Sequence, residues 1–244
     1  MQKLLHSHSS GTRWVMINAA VIFALLTVTV SAGFLQETAS AIPLDAPGDL
    51  QSRNVKTESV TYKGKKALRV TDTAPQSAKD GERYVILNKT EFSDGTLEVE
   101  LTGEPAAAAG EGARGFVGLA FRVSSPSADA PKYECFYLRP TNGRADDQVR
   151  RNHSAQYISY PDFPWQLLRK NFPEKYESYV DLVPGEWTKV KIVVRGDKAR
   201  LFVHDSSQPV LVVNDLKLGQ SQGKIALWVG PGTIAHFANL RVLK

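Results

Sequence analysis

The sequence PGEWTKVKIVVRGDKARLFV, residues 184–203, decides the fold class. Trp187, Val190, Ile192 and Val194 lie in a segment whose apolar positions alternate, and a period of two builds one apolar face only on an extended chain. Arg195-Gly196-Asp197-Lys198 is a tight-turn sequence, and 199–204 returns as the partner strand. Working outward, 209–213, 223–229 and 235–243 supply the closing strands. Toward the N-terminus, 59–63 and 67–72 flank Gly64 as a hairpin, and 84–87 follows a polar linker. Residues 95–101 then place Leu97, Val99 and Leu101 on the core side, with Glu98 and Glu100 opposite. Val117, Leu119, Phe121 and Val123 define a second inward face, leaving Gly118, Ala120 and Arg122 on the other side. The intervening run 103–115, rich in Gly and Ala, predicts a surface loop. No long amphipathic helix interrupts the series, so the expected fold is all-β: an antiparallel β-sandwich of the jelly-roll type.

The first 41 residues have the form of a signal peptide. Lys3 and Arg13 precede an apolar run over 14–35, and Ala39-Ser40-Ala41 follows as a small-residue cleavage site. The rival reading is a retained membrane anchor, since about 20 apolar residues cross a bilayer. Either way the folded domain is 42–244, and the expected address is exported: periplasmic or secreted, with a membrane-anchored form as the alternative. One cysteine, Cys135, excludes an intrachain disulfide and reads as a small buried hydrophobe. A net charge of +5 without long like-charge runs does not argue for a nucleic-acid partner. Oligomeric state has no signature here.

Between the regular strands lies YECFYLRPTNGRADDQVRRNHSAQYISYPDFPWQLLRKNFPEKYESY, residues 133–179, with 10 of the chain's 22 aromatic residues. At 133–138 the alternation fails, because Tyr133, Cys135 and Tyr137 compete with Phe136 and Leu138 for the core. A central strand covered on both faces shows this pattern if a loop folds back over its outer side, and the excursion 140–176 is available to do so. Residues 165–171 predict a short helix within it. Flat aromatics present platforms to sugar C–H faces, and planar polar groups bind hydroxyls. The candidate ligand-binding residues are therefore Arg139, Asn142, Arg144, Asp147, Arg150, Arg151, Gln156, Tyr157, Tyr160 and Trp165. The structural alternative is a satellite core that pins the loop, with Arg–Asp pairs on its rim.

The landmarks GFVGLAFRV (115–123), YECFYLRP (133–140), PGEWTKVKIVVRGDKARLFV (184–203), QPVLVVNDLKLG (208–219) and GKIALWVGPGTIAHFANLRV (223–242), in this order, resemble the concanavalin A-like lectin/glucanase superfamily, which includes laminin G-like sandwiches. The likeness is greatest to exported bacterial proteins related to the 3-keto-disaccharide hydrolase family. Tyr133-Glu134 matches that family's Gly-Tyr-Glu opening on a central strand, whereas Phe136 and Leu138 depart where polar side chains are expected to line a sugar cleft. The resemblance implies a glycan or oligosaccharide partner.

Catalysis has thinner support. Glycoside hydrolysis ordinarily uses two carboxylates, and Glu98-Val99-Glu100 followed by Glu104 does not reproduce the glucanase pattern E-x-D-x-x-E. Glu134 is the better carboxylate candidate, its structural alternative being an ion pair with Arg122 or Arg139. His153 could serve as a base or metal ligand, though it has no spaced ligand partners. No cofactor is evident, and calcium has no ligand motif to support it. The chain contains no phosphate-loop or H-E-x-x-H motif, and no dinucleotide glycine fingerprint that opens a helix after a strand. The leading expectation is an exported carbohydrate-binding protein; the alternatives are a glycoside-cleaving enzyme and a laminin G-like protein-interaction module.

Overall fold

A computed structural model describes residues 39–74, 78, 80–124 and 131–244. The expected signal segment falls almost wholly outside these residues. Its last three residues are described, as strand β1 (Ala39–Ala41) paired with the C-terminal strand.

The alternating segments become two stacked antiparallel sheets. β3 (Val55–Tyr62) and β4 (Lys65–Asp72) form the hairpin around Gly64, whose two turn residues Lys63 and Gly64 both take positive φ. They join β6 (Gly95–Pro105), β11 (Thr188–Arg195), β12 (Lys198–Val203), β13 (Leu211–Val213) and β15 (Thr233–Leu243) in one sheet, ordered β13-β12-β11-β6-β15-β4-β3 with β1 beside β15. The second sheet runs β10-β9-β8-β7-β14-β5-β2. Its strands are β2 (Leu50–Arg53), β5 (Tyr84–Phe92), β7 (Val117–Val123), β8 (Tyr133–Leu138), β9 (Ala155–Tyr160), β10 (Glu177–Ser178) and β14 (Gly223–Val229).

The pleat distributes side chains as the pattern predicts. Leu97, Val99 and Leu101 are buried between the sheets, while Glu98 pairs with Arg241, and Glu100 with Lys65, on the opposite face. All seven residues of β7 and all six of β8 are buried, so the second sheet is covered on both sides.

The excursion is less irregular than its composition predicts. Its middle, AQYISY, is the fully buried strand β9, paired along its length with β8. Helix α1 (Gln148–Asn152) precedes it and helix α2 (Trp165–Asn171), matching the predicted span, follows it. Polar residues at 154, 156 and 159 mask the strand in sequence, because each finds a hydrogen-bond partner only after folding.

Candidate functional site

Strand register sorts the residues of β8 and β9 onto two faces. Val117 packs against Gly103 of the other sheet, since a Cβ on that glycine would stand 2.8 Å from Val117 Cγ1. Its face therefore points inward. Pairing Val117 with Leu138, Leu119 with Phe136 and Phe121 with Glu134 carries that orientation to β8, and thence to Ala155, Tyr157 and Ser159 on β9. Tyr133, Cys135 and Tyr137, with Gln156, Ile158 and Tyr160, occupy the outer face. Phe136 and Leu138 thus stand in the core rather than on the cleft side, and the departure from the polar pattern expected of them has no bearing on a cleft.

Over the outer face lies a cleft of about 930 Å³. Phe116, Tyr137, Tyr160, Trp165 and Trp228 form its aromatic lining. The Trp228 and Tyr137 rings lie 4.7 Å apart. Trp228 Nε1–H donates to Tyr133 Oη at 3.1 Å, and that hydroxyl donates to the Gly81 carbonyl at 2.6 Å, fixing the floor. α2 brings in Trp165 and Arg169, four residues apart and hence on one helix face; the guanidinium stands 4.6 Å from the Trp165 ring centre. α1, capped by the Asp147 carboxylate accepting from Arg150 N at 2.8 Å, brings Arg150 into the lining.

Beneath the arginines is one buried carboxylate. Glu177, its side chain 3% exposed, pairs with Arg169 through two hydrogen bonds and lies 3.5 Å from Arg139 Nη1. His153 Nδ1 approaches its Oε2 to 3.0 Å, out of line for a hydrogen bond. Burial lowers the His153 pKa, with Arg169 and Arg139 acting in the same direction and Glu177 opposing them, so the imidazole is neutral near pH 7. Arg139 also donates to Tyr137 Oη, to Gln156 Oε1 and to the His153 carbonyl at 2.8–3.0 Å. It is locked before any ligand arrives.

Of the residues proposed from sequence, Arg139, Asn142, Arg150, His153, Tyr160 and Trp165 meet in this cleft. The others do not. Glu134 faces the inter-sheet layer, fully buried, where its carboxylate accepts from Tyr157 Oη at 2.6 Å and Leu218 N at 2.7 Å. No ion pair joins it to Arg122 or Arg139; burial raises its pKa against these donors. Tyr157 turns inward with it. Gln156 is buried beneath the cleft, its Nε2 donating to the Tyr157 and Tyr176 carbonyls and its Oε1 accepting from Arg139. Arg144 forms a fork with Asp181, and Arg151 stacks on Tyr179, both away from the lining. Asp147 serves as the α1 cap. Cys135 is buried, and burial pushes its thiol pKa up, as a packing residue requires. Among the described residues no three His, Cys, Asp or Glu side chains converge as a metal site would.

Sequence reasoning missed Arg114, Phe116, Tyr137, Arg169, Glu177 and Trp228. Two carried signals. Arg169 falls four residues after Trp165 on a helix that the sequence predicts, and Trp228 sits out of phase with the inward Leu227. Glu177, on a strand of two residues, carried none.

Residues 49–243 match the family described as the 3-keto-alpha-glucoside-1,2-lyase-like domain. The chain belongs to this family. Its concanavalin A-like sandwich recurs in solved structures. The carbohydrate-binding module CBM66 from Bacillus subtilis superposes with a TM-score of 0.53 at 16% identity, over 80% of this chain and 95% of that one. A B. subtilis protein of unknown function with a galectin-like fold gives 0.54 at 13%, over 85% and 97%. No curated protein matches the chain. These superpositions show the shared β-sandwich fold.

Proposed function

We propose that the chain is an exported carbohydrate-binding protein whose ligand occupies the outer-face cleft. The observation that carries this is the lining itself: flat rings of Tyr160, Trp165 and Trp228 beside planar guanidinium and amide groups of Arg139, Arg150 and Asn142. Such a wall offers stacking surface and hydroxyl partners together, at low entropic cost because Arg139 is already held. Asp80 is the one carboxylate among the described lining residues. Glu134 and Glu177 are buried and engaged, which leaves a two-carboxylate hydrolysis without its second group. Export rests on the N-terminal apolar run and its Ala39-Ser40-Ala41 site.

The test is a glycan array and polysaccharide affinity electrophoresis with the full-length protein. Saturable retention that falls roughly tenfold or more in Trp165→Ala supports the site, since base or sugar stacking on an aromatic anchor is a major binding term. Retention unchanged in that variant would place the site elsewhere.

One observation favours cleavage as a second reading. His153 is a neutral imidazole on the cleft wall, suited to take a proton from carbon next to a sugar ketone. Turnover of 3-keto disaccharides that disappears in His153→Gln and persists in Glu134→Gln would establish it.

A further inference from the structure

The cleft carries more positive charge than its own carboxylates balance. Arg114, Arg139, Arg150 and Arg169 line it, against Asp80 at the surface and Glu177 behind. Glu177 is already shared by Arg139, Arg169 and His153. Arg114 donates only to the Glu111 and Ala113 carbonyls, and the Arg150 guanidinium has neither ion pair nor hydrogen bond among the described residues. Arg114 is half-buried, and its pKa is lowered by burial and by the positive charges of Arg150 and Arg139. On the same wall Asn142, 5% exposed, has a buried amide oxygen that receives no hydrogen bond.

Like charges gathered on one wall repel one another, and a neutral ligand leaves that repulsion in place. An oxyanion removes it. A guanidinium fork matches the two oxygens of a carboxylate or sulfate, and two forks converging from different segments fix the position of the anionic group. Resting on the carbohydrate reading above, the geometry points to a glycan bearing an oxyanion on the sugar, a uronic acid carboxylate or a sulfate ester, with Arg114 and Arg150 as the residues that select it.

The experiment titrates the full-length protein with matched polymers: polygalacturonate and its methyl-esterified form, a sulfated galactan and its desulfated form, and a neutral glucan. The charged member of at least one pair binds, and its neutralised partner binds roughly tenfold more weakly, the worth of a charge-assisted contact. Arg150→Gln and Arg114→Gln each weaken the charged polymer by a similar factor. Arg200→Gln, an exposed charge on the other sheet, leaves it unchanged. Which pair responds identifies carboxylate or sulfate as the source.

Three results overturn the inference. Equal binding of charged and neutralised polymers removes the anion requirement while keeping the carbohydrate reading. An equal loss in Arg200→Gln assigns the attraction to the net charge of +5 rather than to the cleft. Failure of every polymer to bind removes the inference and the carbohydrate reading together.

Discussion

Tyr157 and Tyr160 stand three positions apart on β9, and the pleat sends them to opposite faces. Composition treats the two as equivalent aromatic platforms. In the fold Tyr160 lines the cleft, whereas Tyr157 Oη donates to the buried Glu134 carboxylate and accepts from Lys217 N at 2.9 Å. Tyr157→Phe should therefore leave glycan binding intact and lower stability by about 1–3 kcal/mol, because it strips a donor from a buried carboxylate and an acceptor from a backbone amide. Affinity electrophoresis reads the first effect and the urea midpoint the second. Glu134 shows why a carboxylate in a clean strand is hard to place from sequence. Alternation at 133–138 has apolar residues in both phases, so it does not say which phase faces solvent.

At the scale of elements, β9 and the bulge in β7 were hidden for one reason: both satisfy polar groups by contacts distant in sequence. Arg122 takes a positive φ where β14 shifts register against β7. From there its buried guanidinium donates to the Ser93, Gly196 and Gly219 carbonyls and pairs with Asp94 at 2.9 Å. One side chain thus ties the β5–β6 turn, the β11–β12 turn and the loop before β14. Arg122→Leu should cost about 3 kcal/mol or more, since several charge-assisted hydrogen bonds are lost and their acceptors stay largely enclosed. Lysine should recover little of it, because a compact ammonium cannot span acceptors that a planar fork reaches. Thermal unfolding of the two variants measures both. The hairpin at Gly64 and the helix at 165–171 were legible, because turn chemistry and flanking prolines act locally.

For the molecule as a whole, pH exposes the cost of enclosing histidines. His236 stacks on Tyr62 with ring centres 3.7 Å apart and lies 3.2 Å from Thr102 Oγ1; burial, aided by Arg69, lowers its pKa to about 4. Its folded-state pKa is depressed, so between the ordinary value of about 6.5 and about 4 the unfolded chain binds the proton first. Stability should fall across that window as pH drops, by roughly 1–3 kcal/mol from this residue. The loss measured between pH 7 and pH 4.5 should be smaller in His236→Gln than in the parent protein; an equal loss would assign it to other groups. The same scale separates what sequence alone determined from what only the fold decided. Residues 95–101, 117–123 and 184–203 prescribe an antiparallel two-sheet sandwich by themselves, because a period of two leaves an extended chain one way to bury its apolar side. Which face of β8 carries the cleft was settled by tertiary structure, since a strand buried on both sides has no polar phase to mark it. The charge of the cleft was settled there too. Arg114, Arg139, Arg150, Arg169 and Glu177 come from five loops and short elements, and only packing gathers four cations at one cleft whose carboxylates are too few to neutralise them.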